Sequence, residues 1–271
     1  MTETIKADIC VIGAGSSGLS VAAGAAQLGQ KVVLIEKHKM GGDCLNYGCV
    51  PSKALIAAAK HAQAMRDGGP FGIAPVEPQV DFPRVMAHVR GVIAAIEPND
   101  SVERFEGLGC KVILAPARFT APDEVAAGET RIRARRFVIA TGSRAGVPPI
   151  PGLGDVPYLT NETLPDHLII IGGGPIGMEM AQAHRRLGAR VTVLDAGRAL
   201  AKDDPELTAL VVARLTAEGV VIREQAKILN VSHADGRFAV ALDGGETLAG
   251  SHLLVAAGRV PNIEGLDLDR A

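Results

Sequence analysis

Two glycine-rich stretches decide the fold of this chain: Gly13-Ala-Gly-Ser-Ser-Gly18 near its beginning and Gly172-Gly-Gly-Pro-Ile-Gly177 in its second half. Each follows a mainly apolar run that predicts a buried strand, residues 8–12 and residues 168–171, and each leads into a predicted helix. In such a unit the first glycine permits a tight turn, the second lets the backbone approach a pyrophosphate, and the third lets the helix pack close to the strand. Both stretches therefore predict a turn that binds a dinucleotide at a helix N-terminus.

The spacing beyond each turn is repeated. The helix ends at a glycine 16 residues after the first glycine of the turn, at Gly29 (29 − 13) and at Gly188 (188 − 172). The next strand ends in an acid 23 residues after that first glycine, at Glu36 (36 − 13) and at Asp195 (195 − 172). An acid at this place accepts hydrogen bonds from ribose hydroxyls. The architecture is therefore duplicated, and a chain with two such units binds a flavin and a nicotinamide more often than two nicotinamides.

The predicted fold class is α/β, with two Rossmann-like dinucleotide-binding domains. We expect the first domain, residues 1–153, to carry an inserted helical and β-meander segment, and residues 154–271 to form the second. Two apolar strands that end in polar turns, at Thr141-Gly142 and at Gly258-Arg259, are interpreted as closures of the two units.

Cys44 and Cys49 flank a glycine and precede a helix predicted from Pro51. Cys49 then lies at a helix N-terminus, where the dipole favours a thiolate. A redox-active pair is the favoured interpretation. A zinc site with His38, a structural disulfide and two inert core cysteines are the alternatives, and no metal site is expected.

Lys53 is four residues after Cys49, on the same face of the predicted helix. An ammonium group there would favour the thiolate further. Glu179 falls on an apolar stripe of the second helix and is the predicted partner of Lys53, since a carboxylate in apolar surroundings requires a cation. Cys10, within the first strand, and Cys110, before the strand at residues 111–114, are predicted to be structural.

The composition excludes several classes of protein. A formal net charge of −2, 3% aromatic residues and no Trp argue against a nucleic-acid partner. No aliphatic run is long enough to predict a membrane span, and the first residues have no signal-peptide pattern. A cytoplasmic location is the expectation.

These motifs together resemble the class I pyridine nucleotide–disulfide oxidoreductases, a family that includes dihydrolipoamide dehydrogenase, glutathione reductase and mercuric reductase. The resemblance rests on residues 41–53, the two glycine turns, Ala140-Thr-Gly, Glu179, and Ala257-Gly-Arg-Val-Pro-Asn262. The segment Asp43-Cys-Leu-Asn-Tyr47 is most similar to the bacterial dihydrolipoamide dehydrogenase and mercuric reductase branch.

The resemblance implies FAD in the first unit and NAD(P)H in the second. Hydride would pass from nicotinamide to flavin, and the electrons would then reduce the disulfide. Cys49 would lie next to the flavin, Cys44 would exchange with a substrate disulfide or metal ion, and Lys53 with Glu179 would lie near the flavin's reactive edge. The implied FAD-site residues are Gly13, Gly15, Ser16, Ser17, Gly18, Glu36, Lys37, Gly42, Asp43, Lys53, Ala117, Thr141, Gly142 and Ser143. The implied NAD(P)-site residues are Gly172, Gly174, Pro175, Ile176, Gly177, Glu179, Asp195, Gly258 and Arg259.

NADH is favoured over NADPH, because Asp195 would repel a 2′-phosphate, whereas Arg198 would attract one. The family continues beyond the segment that ends at Asn262, with a dimerisation domain that carries a catalytic His and Glu. We therefore expect a chain with only the FAD and NAD(P) domains of a homodimeric enzyme, with weak FAD retention and incomplete turnover. Two alternatives stay open: an NADH-dependent flavoprotein oxidase or ferredoxin reductase without thiol chemistry, and a nucleotide-binding fragment that is inactive without its C-terminal domain.

Overall fold

The computed structural model describes residues 4–157 and 164–271. Contacts between Cα atoms divide the chain into two compact units. The first unit consists of Met1–Ser52, Arg90–Arg144 and Pro261–Ala271, and the second consists of Lys53–Val89 and Ala145–Val260.

The described residues form helices and strands as follows. In chain order they are β1 (Thr4–Ile12), α1 (Ser16–Gln27), β2 (Val32–Glu36), α2 (Gly42–Asn46), α3 (Cys49–Arg66), α4 (Phe82–Ile96), α5 (Val102–Gly107), β3 (Lys111–Leu114), β4 (Ala117–Ala121), β5 (Glu124–Ala127), β6 (Thr130–Ile139), β7 (Ser143–Ala145), β8 (His167–Ile171), α6 (Pro175–Arg186), β9 (Arg190–Leu194), α7 (Pro205–Ala217), β10 (Val221–Arg223), β11 (Ile228–Ala234), β12 (Arg237–Leu242), β13 (Thr247–Gly250), β14 (His252–Val255) and β15 (Arg259–Pro261). Short 3-10 helices cover Gly69–Phe71, Glu97–Asp100, Leu153–Asp155 and Leu268–Arg270.

The first unit is built on a six-stranded sheet in the order β3-β2-β1-β6-β5-β4. Strands β3, β2, β1 and β6 are parallel, whereas β4 and β5 continue from β6 as an antiparallel meander. The helices α2 and α5 fall between β2 and β3 in the sequence. The predicted α/β class and the inserted helical and meander segment are confirmed.

The second unit contains a four-stranded parallel sheet in the order β10-β9-β8-β14 and a three-stranded antiparallel sheet in the order β11-β12-β13. The parallel sheet is the predicted second dinucleotide-binding unit. The three-stranded sheet was not predicted: β12 alternates buried Phe238, Val240 and Leu242 with less buried residues, but in β11 only Val231 is buried.

The two glycine turns have the same geometry. Gly13 has a φ of 106° and Gly172 a φ of 112°, a region that other residues rarely adopt. A Cβ on Gly13 would collide with the carbonyl oxygen of Ala140, and one on Gly172 with that of Ala256. The turns therefore require glycine both for backbone conformation and for the close approach of the neighbouring strand.

The division by contacts differs from a single boundary after residue 153. The segment Pro261–Ala271 belongs to the first unit, where the amide N of Phe119 donates to the carbonyl O of Leu266 at 2.9 Å and Leu266 is buried in the core. The segment Lys53–Val89 belongs to the second unit, where Arg66 donates to the carbonyl O of Arg186 at 2.8 Å. Such contacts join residues more than a hundred positions apart, so patterns read along the sequence do not predict them.

Candidate functional site

A cavity of about 220 Å³ lies at the carboxyl ends of the parallel strands of the first unit. Ligands of open α/β sheets bind at this edge. The cavity is lined by the first two glycines of the turn, by the end of β2 with its acid, and by the turn that follows β6. Its lining residues are Ile12, Gly13, Gly15, Ile35, Glu36, Lys37, His38, Lys39, Gly42, Asp43, Tyr47, Ala115, Ala117, Ala140, Thr141, Gly142, Ser143 and Asn262.

Glu36 connects the glycine turn to the chain that follows β2. Its carboxylate is buried, with 8% of the residue exposed. Oε2 accepts a hydrogen bond from the amide N of Ala14 at 2.7 Å, and Oε1 accepts one from that of His38 at 2.8 Å. Each carboxylate oxygen can accept a further hydrogen bond. The acid therefore fixes the turn and remains capable of binding a ribose hydroxyl.

The loop that carries the first cysteine packs against the glycine turn. A Cβ on Gly42 would lie 2.7 Å from the Cα of Gly15, closer than two such atoms can approach. Gly15 and Gly41 also form an isolated parallel bridge. The absence of side chains on these glycines therefore lets the start of α2 contact the turn, and the cysteine segment begins at the edge of the cavity.

Cys44 and Cys49 form a disulfide, with Cα atoms 4.8 Å apart. Cys44 lies within α2 and is half-buried, whereas Cys49 is the first residue of α3 and is exposed. The prediction that Cys49 lies at a helix N-terminus is confirmed. The disulfide is thus accessible and has one sulfur at the positive end of a helix dipole.

The two remaining cysteines are core residues, as predicted. Cys10 is completely buried in β1, and burial raises the pKa of its thiol to about 12. Cys110 is also buried, burial raises the pKa of its thiol, and its Sγ lies 3.7 Å from the carbonyl O of Ala22. Neither thiol is suited to redox exchange at neutral pH.

Lys53 and Glu179 form the predicted ion pair in the second unit. The Nζ of Lys53 lies 2.9 Å from both carboxylate oxygens. The side chains are 60% and 43% exposed, so the carboxylate is not enclosed by the apolar stripe on which it was expected. An exposed pair of this kind contributes about 0–1 kcal/mol to stability.

The second unit has a larger cavity, of about 840 Å³, beside its own glycine turn. Its lining combines charged residues and glycine-turn residues with aliphatic ones. The lining residues are Pro148, Ile150, Ile171, Gly172, Gly174, Pro175, Ile176, Leu194, Asp195, Ala196, Arg198, Leu200, Ala201, Lys202, Asp203, Ala226, Lys227, Ile228, Ala256, Ala257 and Gly258.

Asp195 repeats the arrangement of Glu36. Its Oδ2 accepts a hydrogen bond from the amide N of Gly173 at 2.7 Å, and its Oδ1 accepts one from that of Gly197 at 2.7 Å. The partners occupy equivalent places, 22 residues before the acid (36 − 14 and 195 − 173) and two residues after it. The sequence duplication therefore extends to the hydrogen bonds of the two turns.

The structure brings most predicted site residues to the two cavities. Around the first cavity lie Gly13, Gly15, Glu36, Lys37, Gly42, Asp43, Ala117, Thr141, Gly142 and Ser143, and around the second lie Gly172, Gly174, Pro175, Ile176, Asp195 and Gly258. The remaining predicted residues have other places. Ser16 and Ser17 begin α1, Gly18 and Gly177 lie where α1 and α6 cross their turns, Arg259 begins β15, and Lys53 pairs with Glu179.

Asn262 is a residue of the first cavity that the sequence did not single out. Its amide N donates to the carbonyl O of Gly142 at 3.0 Å, and its side-chain Nδ2 donates to the carbonyl O of Thr141 at 3.1 Å. The residue ends the motif at 257–262, of which only Gly258 and Arg259 were predicted site residues. The sequence signal for Asn262 was its amide side chain, which can both donate and accept hydrogen bonds.

A helix able to span a membrane is absent from the described part of the chain. The two cradles fit dinucleotides on three structural grounds: turns that exclude side chains, helix N-termini directed at the turns, and acids with spare acceptor capacity, of which Glu36 is buried and Asp195 partly buried. A protein with two such units and an accessible disulfide falls in the class of flavin- and nicotinamide-linked disulfide oxidoreductases.

Comparison with known proteins agrees with that class. The profile of the pyridine nucleotide-disulphide oxidoreductase family matches residues 7–271, and the chain belongs to this family. The family implies FAD and a pyridine nucleotide as cofactors.

Relatives of known function cover nearly all of this chain. It is 36% identical to a mercuric reductase of Acidithiobacillus ferrooxidans over 97% of its length and 50% of the relative, and 34% identical to a mercuric reductase of Streptomyces lividans over 97% of its length and 59% of the relative. The structure of the HOCl-induced flavoprotein disulfide reductase RclA from Escherichia coli superposes with a TM-score of 0.83 at 28% identity, over 97% of this chain and 59% of that one. The chain thus spans about half the length of the curated relatives it matches.

Proposed function

We propose that this chain carries the electron-transfer half of an FAD-dependent, NAD(P)H-linked disulfide oxidoreductase, with FAD in the first unit and the nicotinamide nucleotide in the second. The observation that carries the proposal is the accessible Cys44–Cys49 disulfide, which begins at the edge of the first cavity and ends at a helix N-terminus. When bound, the two cofactors supply the two electrons that, with two protons, convert the disulfide to two thiols.

The two cysteines have different tasks in this proposal. Cys49 is stabilised as a thiolate by the N-terminal N–H groups and the dipole of α3. Cys44 is on a separate helix of only five residues, α2, and is the sulfur that exchanges with the substrate. A thiolate that is stabilised on one sulfur makes that sulfur the better leaving group when the other is attacked.

Lys53 adds to the stabilisation of Cys49. It lies one helical turn further along α3, on the same face. Glu179 binds Lys53 through both carboxylate oxygens and so restricts where the ammonium group can lie. The pair is therefore assigned a positioning and electrostatic role rather than a covalent one.

NADH is the proposed nicotinamide substrate. Asp195 lines the second cavity at the place where the ribose hydroxyls of a dinucleotide bind, and its negative charge opposes a 2′-phosphate. Arg198, which lines the same cavity, is the residue that would favour NADPH instead. Measuring the affinities for NADH and NADPH separately shows which of the two residues determines the preference.

The acceptor is proposed to be a substrate disulfide or a thiophilic metal ion. The mercuric reductases that match nearly the whole of this chain support the metal ion, and the likeness to RclA, a flavoprotein disulfide reductase, supports the disulfide. A homodimer and a cytoplasmic location complete the proposal, both carried over from the sequence resemblance and composition.

The proposal is tested by counting thiols. The protein is incubated anaerobically with excess FAD, with and without NADH, then alkylated in its native state and analysed by peptide mass spectrometry. We expect NADH to make Cys44 and Cys49 reactive while Cys10 and Cys110 stay unmodified. A protein that binds FAD but shows no NADH-dependent modification of this pair would contradict the thiol chemistry, and Cys49→Ser is the control in which Cys44 is reactive without NADH.

A further inference from the structure

The turn that follows β6 leaves the hydrogen-bonding pattern of its sheet at the edge of the first cavity. The amide N of Ala140 still donates to the carbonyl O of Ile12 at 2.8 Å, after which the chain turns away through Thr141 and Gly142. Gly142 has a φ of 68°, and no atom lies within 4 Å of the place where its Cβ would be. The peptide groups of this turn therefore border open space and need partners from outside the sheet.

Asn262 binds the carbonyl groups of both Thr141 and Gly142. Its backbone N–H binds the carbonyl O of Gly142 at 3.0 Å and its side-chain amide binds that of Thr141 at 3.1 Å. Because a peptide unit is planar, fixing a carbonyl also fixes the direction of the N–H on the other side of the same unit. Asn262 thus determines the orientation of two successive peptide units in the wall of the cavity.

The orientation of the Asn262 amide is itself fixed. Nη1 of Arg144 donates to its Oδ1 at 3.1 Å, so Nδ2 is left to donate to Thr141. The guanidinium group is held in turn by Glu264, with Nη1 at 3.0 Å from Oε2 and Nη2 at 2.9 Å from Oε1. Hydrogen bonding to Arg144 lowers the pKa of Glu264 to about 2, so the carboxylate stays charged at neutral pH.

We infer that Asn262 is a positioning residue for the flavin nucleotide: it holds the peptide units of Thr141 and Gly142 in the orientation that FAD meets, and Arg144 holds Asn262. The inference rests on the proposed function, because it takes FAD as the occupant of the first cavity. No contact between Asn262 and the cofactor is required. The effect is transmitted through the backbone of the turn.

The deciding variant is Asn262→Asp, which keeps the size, the backbone donor and the contact with Arg144 but places a carboxylate oxygen against the carbonyl of Thr141. The dissociation constant of FAD is measured by quenching of its fluorescence in apoprotein of the full chain, and the urea midpoint of the same apoprotein is measured without FAD. We expect FAD to bind about tenfold more weakly, as loss of a hydrogen bond with an unsatisfied acceptor implies. The urea midpoint should stay near that of the wild type.

A second pair of variants separates positioning from general stability. Arg144→Gln frees the Asn262 amide and should weaken FAD binding about threefold, whereas Arg135→Gln, which breaks another exposed ion pair of the first unit, should leave it unchanged. Binding within twofold of the wild type in Asn262→Asp, or weaker binding matched by a lower urea midpoint, overturns the inference. Wild-type protein that binds no FAD overturns the proposed function and this inference with it. If Asn262→Asp does not fold, the FAD dissociation constant and the urea midpoint of Arg144→Gln are compared with those of the wild type and test the inference by the same criteria.

Discussion

The Nζ of Lys53 lies at the same distance, 2.9 Å, from each carboxylate oxygen of Glu179. The two residues are 126 positions apart, yet this pair was predicted from the sequence alone. The ammonium group belongs to the helix that Cys49 begins, so the ion pair links the charge beside the proposed thiolate to α6.

The two halves of this pair should have opposite effects on Cys49. In dithiothreitol-reduced protein, Lys53→Met should slow the alkylation of Cys49 severalfold, because a cation that favours the thiolate is lost. Glu179→Gln removes a negative charge from the same neighbourhood and should not slow it. Stability should change by less than about 1 kcal/mol in either variant, since the pair is exposed. Equal slowing in both variants would indicate a structural role instead.

Nicotinamide preference should depend on the acid of the second unit. Asp195→Asn removes the charge and should improve NADPH binding relative to NADH by about tenfold, which corresponds to about 1.4 kcal/mol. Glu36→Gln, at the equivalent place in the first unit, is the matched control and should leave the NADPH to NADH ratio unchanged. Dissociation constants from nucleotide fluorescence measure both. A wild-type protein that already prefers NADPH would indicate that Arg198, and not Asp195, determines the nicotinamide preference.

The buried cysteine of β1 should tolerate an apolar substitute better than a polar one. Cys10→Ser places a hydroxyl in a completely buried apolar site and should cost about 1–3 kcal/mol of unfolding free energy. Cys10→Ala leaves a small cavity and should cost less. Urea unfolding of the two variants gives the comparison, and equal losses would mean that the hydroxyl finds a hydrogen-bond partner.

Acid should weaken the meander of the first unit through Glu124. Hydrogen bonds from Thr120, Arg131 and Arg133 lower the pKa of this carboxyl to about 2, below its ordinary value of 4.5. Above pH 4.5 both folded and unfolded chains carry the charge and the stabilisation is complete. As the pH falls from about 4.5 to about 2, the unfolded chain takes up the proton first, so stability declines.

Replacement of this carboxyl should remove that part of the acid response. Between pH 5 and pH 2.5 the urea midpoint of the wild type should fall more steeply than that of Glu124→Gln. Because the variant also loses its ion pairs with Arg131 and Arg133, it should be the less stable protein at pH 7. Parallel pH profiles for the two proteins would show that other carboxyls account for the loss in acid.

The sequence predicted local structure well, and also the two glycine turns with their acids Glu36 and Asp195, because both follow from short-range patterns. The strand before Gly13, the helix start at Cys49 and the core positions of Cys10 and Cys110 all depend on neighbours within a few residues. Asn262 was missed because an uncharged amide, unlike Lys53 or Glu179, gives no signal for a partner that lies 121 positions earlier in the chain.

The contact-based division into compact units also depends on long-range contacts. The short final segment Pro261–Ala271 joins the first unit through contacts with β4 and the turn after β6, which no periodicity reveals. The Lys53–Glu179 pair is equally long-range, but it was predictable because each residue was already marked by its place in a motif. Long-range contacts were therefore predicted only where motifs identified both partners.

Glycines of helix α1 should respond in opposite ways to the same substitution. A Cβ on Gly18 would collide with the carbonyl O of Gly13, whereas Gly24 has no atom within 4 Å of that place. Gly18→Ala should therefore destabilise the protein and abolish FAD binding. Gly24→Ala should stabilise it by up to about 1 kcal/mol, because alanine favours the helix. Thermal unfolding with and without FAD tests both, and a tolerated Gly18→Ala would mean that the turn can shift.

The parallel between the Glu36 and Asp195 turns bears on how such a chain can diversify. The two copies share one acid whose two carboxylate oxygens each accept a hydrogen bond from a backbone N–H, and glycines whose missing side chains leave room for neighbouring backbone. The residues between the second and third of those glycines differ: Ser16-Ser17 in one copy and Pro175-Ile176 in the other. Substitutions at these positions therefore adapt each copy to its own nucleotide while the shared backbone arrangement is kept. Repeated units of this kind are good starting points for the design of a changed cofactor preference.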